Sequence, residues 1–151
     1  MRRWWRTIIT GGLAVALGIL AASALAGGPL RGATYRGALA GSMSGIAISF
    51  HVTANGTVEG VKLSRLPLYC PGNGPPAARI SFASATVSAQ GTFAAAGRDV
   101  IPSGPVKGSV AATLALTGRF GARGAESGTV TTTYNGPAKR CGGRSNYATR
   151  G

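Results

Sequence analysis

The chain has 151 residues, with 16 Lys plus Arg against 3 Asp plus Glu, a net charge of +13, 25 glycines and 2 cysteines. Three acids and one histidine leave little material for acid–base or metal chemistry, and the length suits one hydrophobic core, not two. A charge this positive favours anionic company such as envelope polymers, acidic lipid headgroups or nucleic acid over a cytosolic protein partner.

The chain opens on the basic segment Met-Arg-Arg-Trp-Trp-Arg and continues as a chargeless apolar stretch from Ile8 to Ala26. That layout predicts a secretory signal peptide, helical and covering residues 1–26, with Ala24 and Ala26 as the small residues of the cleavage site. The competing expectation is an uncleaved membrane anchor, since about 20 apolar residues span a bilayer. Ala and Gly dominate the stretch and no basic stop-transfer flank follows it, which favours the signal. No cysteine follows the stretch for acylation, and the Arg2-Arg3 pair lacks the neighbours of a twin-arginine signal. Residues 27–151 are then a single β domain, secreted or held at the cell surface, keeping 13 Lys plus Arg against 3 acids. Contact with a membrane is expected only through the N-terminal segment before cleavage.

After residue 26 the apolar residues recur every second position, the period of a strand with one wet face. Ile46, Ile48, Phe50 and Val52 share one parity, while Ala47, Ser49 and His51 share the other. Asn55-Gly56 marks a hairpin, because both residues tolerate positive φ. The return strand from Thr57 to Leu63 changes phase between Val58 and Val61, which predicts a bulge at Gly60. Residues 64–78, rich in Pro and Gly, read as a loop that holds Cys70. Strands are expected at Ala78 to Phe82 and at Ala85 to Phe93, and a second loop from Gly97 to Pro105. Val110, Ala112, Leu114, Leu116 and Phe120 are all even-numbered; a turn follows at Gly121 to Gly124, and Val130, Thr132 and Tyr134 continue the alternation as a second hairpin. The segment from Lys139 to Arg144 reads as a flexible basic loop. Gly56-Thr57-Val58 before Cys70 and Gly128-Thr129-Val130 before Cys141 look alike; a duplicated hairpin-plus-cysteine-loop unit would explain this, and chance in a Gly-, Thr- and Val-rich chain is the safer reading. The fold expected is all-β, an antiparallel β-sandwich or a small β-barrel of about seven short strands.

Export implies an oxidising compartment, so two cysteines without a third predict one disulfide, Cys70 to Cys141. It would close 71 residues, worth on the order of 4 kcal/mol through the unfolded chain. A catalytic thiol would need a nearby histidine and only His51 exists; a zinc site would need four ligands at short spacing.

Gly32-Ala33-Thr34-Tyr35-Arg36-Gly37, Gly118-Arg119-Phe120, Gly128-Thr129-Val130, Cys141 and the terminal Tyr147-Ala148-Thr149-Arg150 together resemble short exported β-rich proteins of actinobacteria. The resemblance spans most of residues 32–150. It implies export, β structure and the disulfide, and it carries no activity.

No catalytic residues, metal site or cofactor are expected. The acids Glu59, Asp99 and Glu126 are scattered, and Glu59 and Glu126 sit beside turns where an exposed carboxylate simply solvates. His51 lies on the outward parity of its strand, no G-x-S-x-G elbow or phosphate loop occurs, and no nucleic-acid module is present. A disulfide-joined pair of loops would gather Lys139, Arg140 and Arg144 into an anion-binding site for an envelope polymer or lipid headgroup. The expected role is a non-catalytic structural or binding component of the cell envelope. The alternatives are a membrane-anchored accessory protein and a weak hydrolase using His51.

Overall fold

A computed structural model describes residues 27–69, 79–100, 108–134 and 141–151. The signal peptide expected at 1–26 lies outside the described residues, as do Cys70, Lys139 and Arg140.

Nine strands form among the described residues, against the seven or so expected: β1 (Thr34–Leu39), β2 (Ala47–Val52), β3 (Thr57–Leu63), β4 (Arg79–Phe82), β5 (Ala85–Thr86), β6 (Thr92–Val100), β7 (Val110–Phe120), β8 (Ala125–Tyr134) and β9 (Gly142–Arg150). They pair into one antiparallel sheet in the order β4-β6-β7-β8-β9-β1-β2-β3-β5, not into the two packed sheets of a sandwich. The sheet curls into a half-barrel, so that β3 and β4, from its two ends, lie beside each other without pairing.

Inward positions fill the hollow. Tyr35 stacks on Phe50 at 5.2 Å between ring centroids, and Phe120 meets Tyr35 edge-on at 5.2 Å and Phe93 at 5.5 Å. Ile48, Val52, Val58, Leu116 and Val130 pack around these rings, each at most 1% exposed. Aromatic pairs of this geometry add about 1 kcal/mol each beyond their buried area.

The even parity of β7 and the Ile46 to Val52 face point inward as the alternation predicts. Gly60 takes φ 61° where the β2–β3 register slips, so Val58 and Val61 both reach the core from opposite parities. The expected strand Ala85 to Phe93 is instead cut by a turn. Ser88 N donates to Thr92 O at 2.8 Å, Gly91 N to Ser88 O at 2.9 Å and Thr92 N to Ser88 Oγ at 3.1 Å, with Gly91 at φ 74°. The turn after β2 is built identically: Thr53 N donates to Thr57 O, Gly56 N to Thr53 O and Thr57 N to Thr53 Oγ1, with Gly56 at φ 78°. Thr53-Ala-Asn-Gly-Thr57 and Ser88-Ala-Gln-Gly-Thr92 are thus one turn used twice. Gly128, in contrast, sits within β8 opposite Gly118, so its likeness to Gly56 has no structural counterpart.

The second expected loop also starts late, since Gly97 to Val100 belong to β6 and the ring of Phe82 lies over Gly97. The largest correction concerns the basic segment near the C-terminus. From Gly142 onward it is no flexible loop: β9 runs through the middle of the sheet, hydrogen-bonded to β8 on one side and β1 on the other.

Close approach makes Gly118 irreplaceable. A Cβ there would overlap the Glu126 carboxylate and the Phe93 ring, both fixed in the core. Gly118→Ala is expected to lower stability by about 3 kcal/mol in a denaturant titration, whereas Gly28→Ala, with open space around it, changes it by less than about 0.5 kcal/mol.

Candidate functional site

The first feature of the site is where the acids went. Glu126 is 2% exposed and Asp99 1%, so Glu59 carries the sole exposed side-chain carboxylate of the chain's three acids. Glu126 shares the even parity of Val130 and Thr132 and therefore points into the half-barrel. The expectation of a solvated carboxylate at this position fails because the turn before it does not change the parity of β8.

Inside, two side chains of β9 meet it. The Tyr147 hydroxyl donates to Glu126 Oε1 at 2.8 Å, and the Thr149 hydroxyl donates to Oε2 at 2.6 Å. Glycine at 118 and 128 leaves the room these groups occupy. Burial raises the Glu126 carboxyl from 4.5 to about 7, although both hydroxyls favour the ionised form. Desolvation is the larger effect, and among the described residues no cation lowers the carboxyl's pKa. Tyr147 is pushed well above its ordinary value by burial and by Glu126, and Tyr35, whose hydroxyl accepts from Leu30 N at 2.8 Å, is raised by burial too.

Tyr147 has one proton and two acceptors in reach, Glu126 Oε1 and Thr117 O at 3.2 Å. Asp99 is likewise raised by burial, and Asp99 Oδ1 and Thr132 Oγ1 are buried without a hydrogen-bond partner.

The second feature is the outward face. Arg31, Arg36, Lys62, Arg65, Arg98, Arg119, Arg123, Arg144 and Arg150 are all exposed. Three of them fall in one cross-strand row. Lys62 on β3 is opposite Ser49 on β2, Ser49 is opposite Arg36 on β1, and Arg36 is opposite Arg150 on β9. At a strand spacing of ~4.8 Å the row spans about 14 Å. Arginines directly opposite each other repel, so the row is a standing demand for an anion, with the Ser49 hydroxyl between the charges as a neutral donor.

Of the cations expected to converge beside the cysteines, only Arg144 lies among the described residues. It is exposed on β9 opposite Thr131, six residues from Arg150, or about 20 Å along the strand. Cys141 is 6% exposed immediately before β9, and Tyr69 N donates to Gly142 O at 3.1 Å in an isolated antiparallel bridge. His51 is half-buried on the outward face between Thr34 and Glu59, its Nδ1 3.5 Å from Thr34 Oγ1. Among the described residues no three of His, Cys, Asp and Glu gather where a metal could bind, and no helix is long and apolar enough to cross a membrane. Comparisons with family models, curated proteins and solved structures find no match.

The buried carboxylate makes stability depend on pH with a definite sign. The folded chain holds the Glu126 proton up to about pH 7 and the unfolded chain releases it near 4.5. Stability is therefore full below pH 4.5, falls as the pH rises to about 7 and levels off above. Asp99 adds a contribution of the same sign. The loss from Glu126 is on the order of 3 kcal/mol, and Glu126→Gln should flatten the thermal-midpoint curve over that window.

Proposed function

We propose that this protein is an exported, non-catalytic β domain that binds an anionic polymer of the cell envelope through its cationic outer face. The observation that carries this reading is the sorting of charge. Two of three carboxylates are buried, and the exposed Lys62, Arg36 and Arg150 form a row with no acid in it. A linear polyanion can lie along such a row and gain from each cation, whereas a small anion would use only one or two. Arg144, on the same face of β9, extends the surface. Lipid headgroups offer the same charge, but among the described residues no exposed apolar cluster lies beside the row, which argues for a polymer instead.

Export follows from the basic and apolar N-terminal pattern, with residues 1–26 removed, and places the domain outside the cytoplasm or at the cell surface. A disulfide between Cys70 and Cys141 belongs to the same reading. Two observations support it: Cys141 is buried, and no cysteine among the described residues is free. Thiol titration of the unfolded, unreduced protein should find none of the 2 cysteines reactive, and reduction should lower stability by about 4 kcal/mol. Two reactive thiols before reduction would remove the bridge.

Retention on isolated cell wall tests the binding. It should weaken as salt rises from 50 to 500 mM, and Arg36→Glu with Arg150→Glu should reduce it at least ~10-fold at low salt. Retention that ignores both salt and charge reversal would refute the proposal.

A further inference from the structure

A cleft of about 350 Å³ opens between the 3-10 turn Gly41–Met43 and the segment from Arg65 to Tyr69 that leaves β3. Local hydrogen bonds fix both walls. Ile46 N donates to Met43 O at 2.9 Å, Leu68 N to Leu66 O at 3.0 Å, and Tyr69 N reaches across to Gly142 O at 3.1 Å. The volume is in the range of small-ligand sites, ~300–1,000 Å³. We infer that this cleft binds one carboxylate-bearing sugar unit, which rests on the anionic-polymer reading above and narrows its ligand to an acidic polysaccharide.

Three groups at the cleft carry the inference. Arg65 lines it with an exposed guanidinium whose Nη2 makes one long contact to Gly45 O at 3.4 Å, leaving its other N–H donors for a carboxylate. Tyr69 lines it too and offers an aromatic face that is 65% exposed, on a backbone bridged to Gly142. Ser42 adds an exposed hydroxyl on the opposite wall. A cation, one ring and a hydroxyl match a pyranose ring that has an apolar C–H face, hydroxyls and an acid group.

Other anions fit less well. An alkyl carboxylate needs a continuous apolar surface for its chain, but Met43, Ile46 and Leu66 are only 7–8% exposed and Leu68 alone of the aliphatic lining is partly open. A polyphosphate would use Arg65 and has no ring for Tyr69. A single-stranded nucleic acid wants successive stacking platforms, and Tyr69 is the one exposed large aromatic among the described residues.

The test is calorimetric titration of the full chain with trigalacturonate, galactotriose, tripolyphosphate and dodecanoate as probes. Trigalacturonate should bind and neutral galactotriose should not. Arg65→Gln and Tyr69→Ala should each weaken trigalacturonate at least ~10-fold, and Tyr69→Phe should retain most of the affinity. Both side chains are exposed, so the variants should keep the wild-type unfolding midpoint, which confirms that the loss is local. The inference is overturned if trigalacturonate fails to bind the intact chain or binds both variants as well as wild type. Tighter binding of tripolyphosphate or dodecanoate would also overturn it. If the cell wall still retains the protein by charge while trigalacturonate does not bind, this inference falls and the polymer reading stands; if retention fails as well, both fall.

Discussion

The structure depends on the pairing of its last strand. β9 lies fifth in a sheet of nine, with β4, β6, β7 and β8 on one side and β1, β2, β3 and β5 on the other. Without it the two sets of strands share no hydrogen-bonded edge. It is also the chain's most distant connection to make, because β1 must wait for residues more than a hundred positions later before it has a second partner. Such pairing is costly in loop entropy and is repaid by burial on the inner face, where Ser145, Tyr147 and Thr149 alternate inward.

The same strand links the interior to the exterior. Its inward Tyr147 and Thr149 hold the Glu126 carboxyl inside the half-barrel, and its outward Arg150 completes the row with Arg36, Ser49 and Lys62. Removing an acid from the surface has the same effect on the outer potential as adding a cation, and this fold does both. Burial that raises the Glu126 carboxyl to about 7 costs stability at neutral pH. Charge on one face and hydrogen bonding on the other are thus set by one register.

What could be read in the sequence divides along physical lines. Strict alternation in Ile46 to Val52 and in Val110 to Phe120 identified strands and their inward faces, because a period of two has one geometric meaning. Asn55-Gly56 and Gly60 were legible for a similar reason, since glycine is needed where φ turns positive. The turn at Ser88 to Gly91 escaped because Gln-Gly is not a favoured hairpin dipeptide; the signal was the repeat of Thr53-Ala-Asn-Gly-Thr57 as Ser88-Ala-Gln-Gly-Thr92. Glu126 follows a turn, where an ionised carboxylate is expected to stay in water, yet its parity with Val130 and Thr132 points inward, and in the fold position outweighs chemistry. β9 was the hardest element, since Gly142 to Arg150 has few apolar residues and draws its order from neighbours on both sides. The Lys62–Arg36–Arg150 row could not be seen at all without the register of four strands.

The burial of Glu126 and the cationic row both require the C-terminal residues to be a central strand in solution. Amide hydrogen exchange read residue by residue is the most direct measurement. The amides of Ser145 to Thr149 should exchange with the slowest set, alongside those of β7 and β8, because opening them requires the sheet to come apart. Exchange of those amides at the rate of an unprotected tail, while β7 and β8 stay protected, would contradict the central place given to β9 and, with it, the burial of Glu126 and the cationic row.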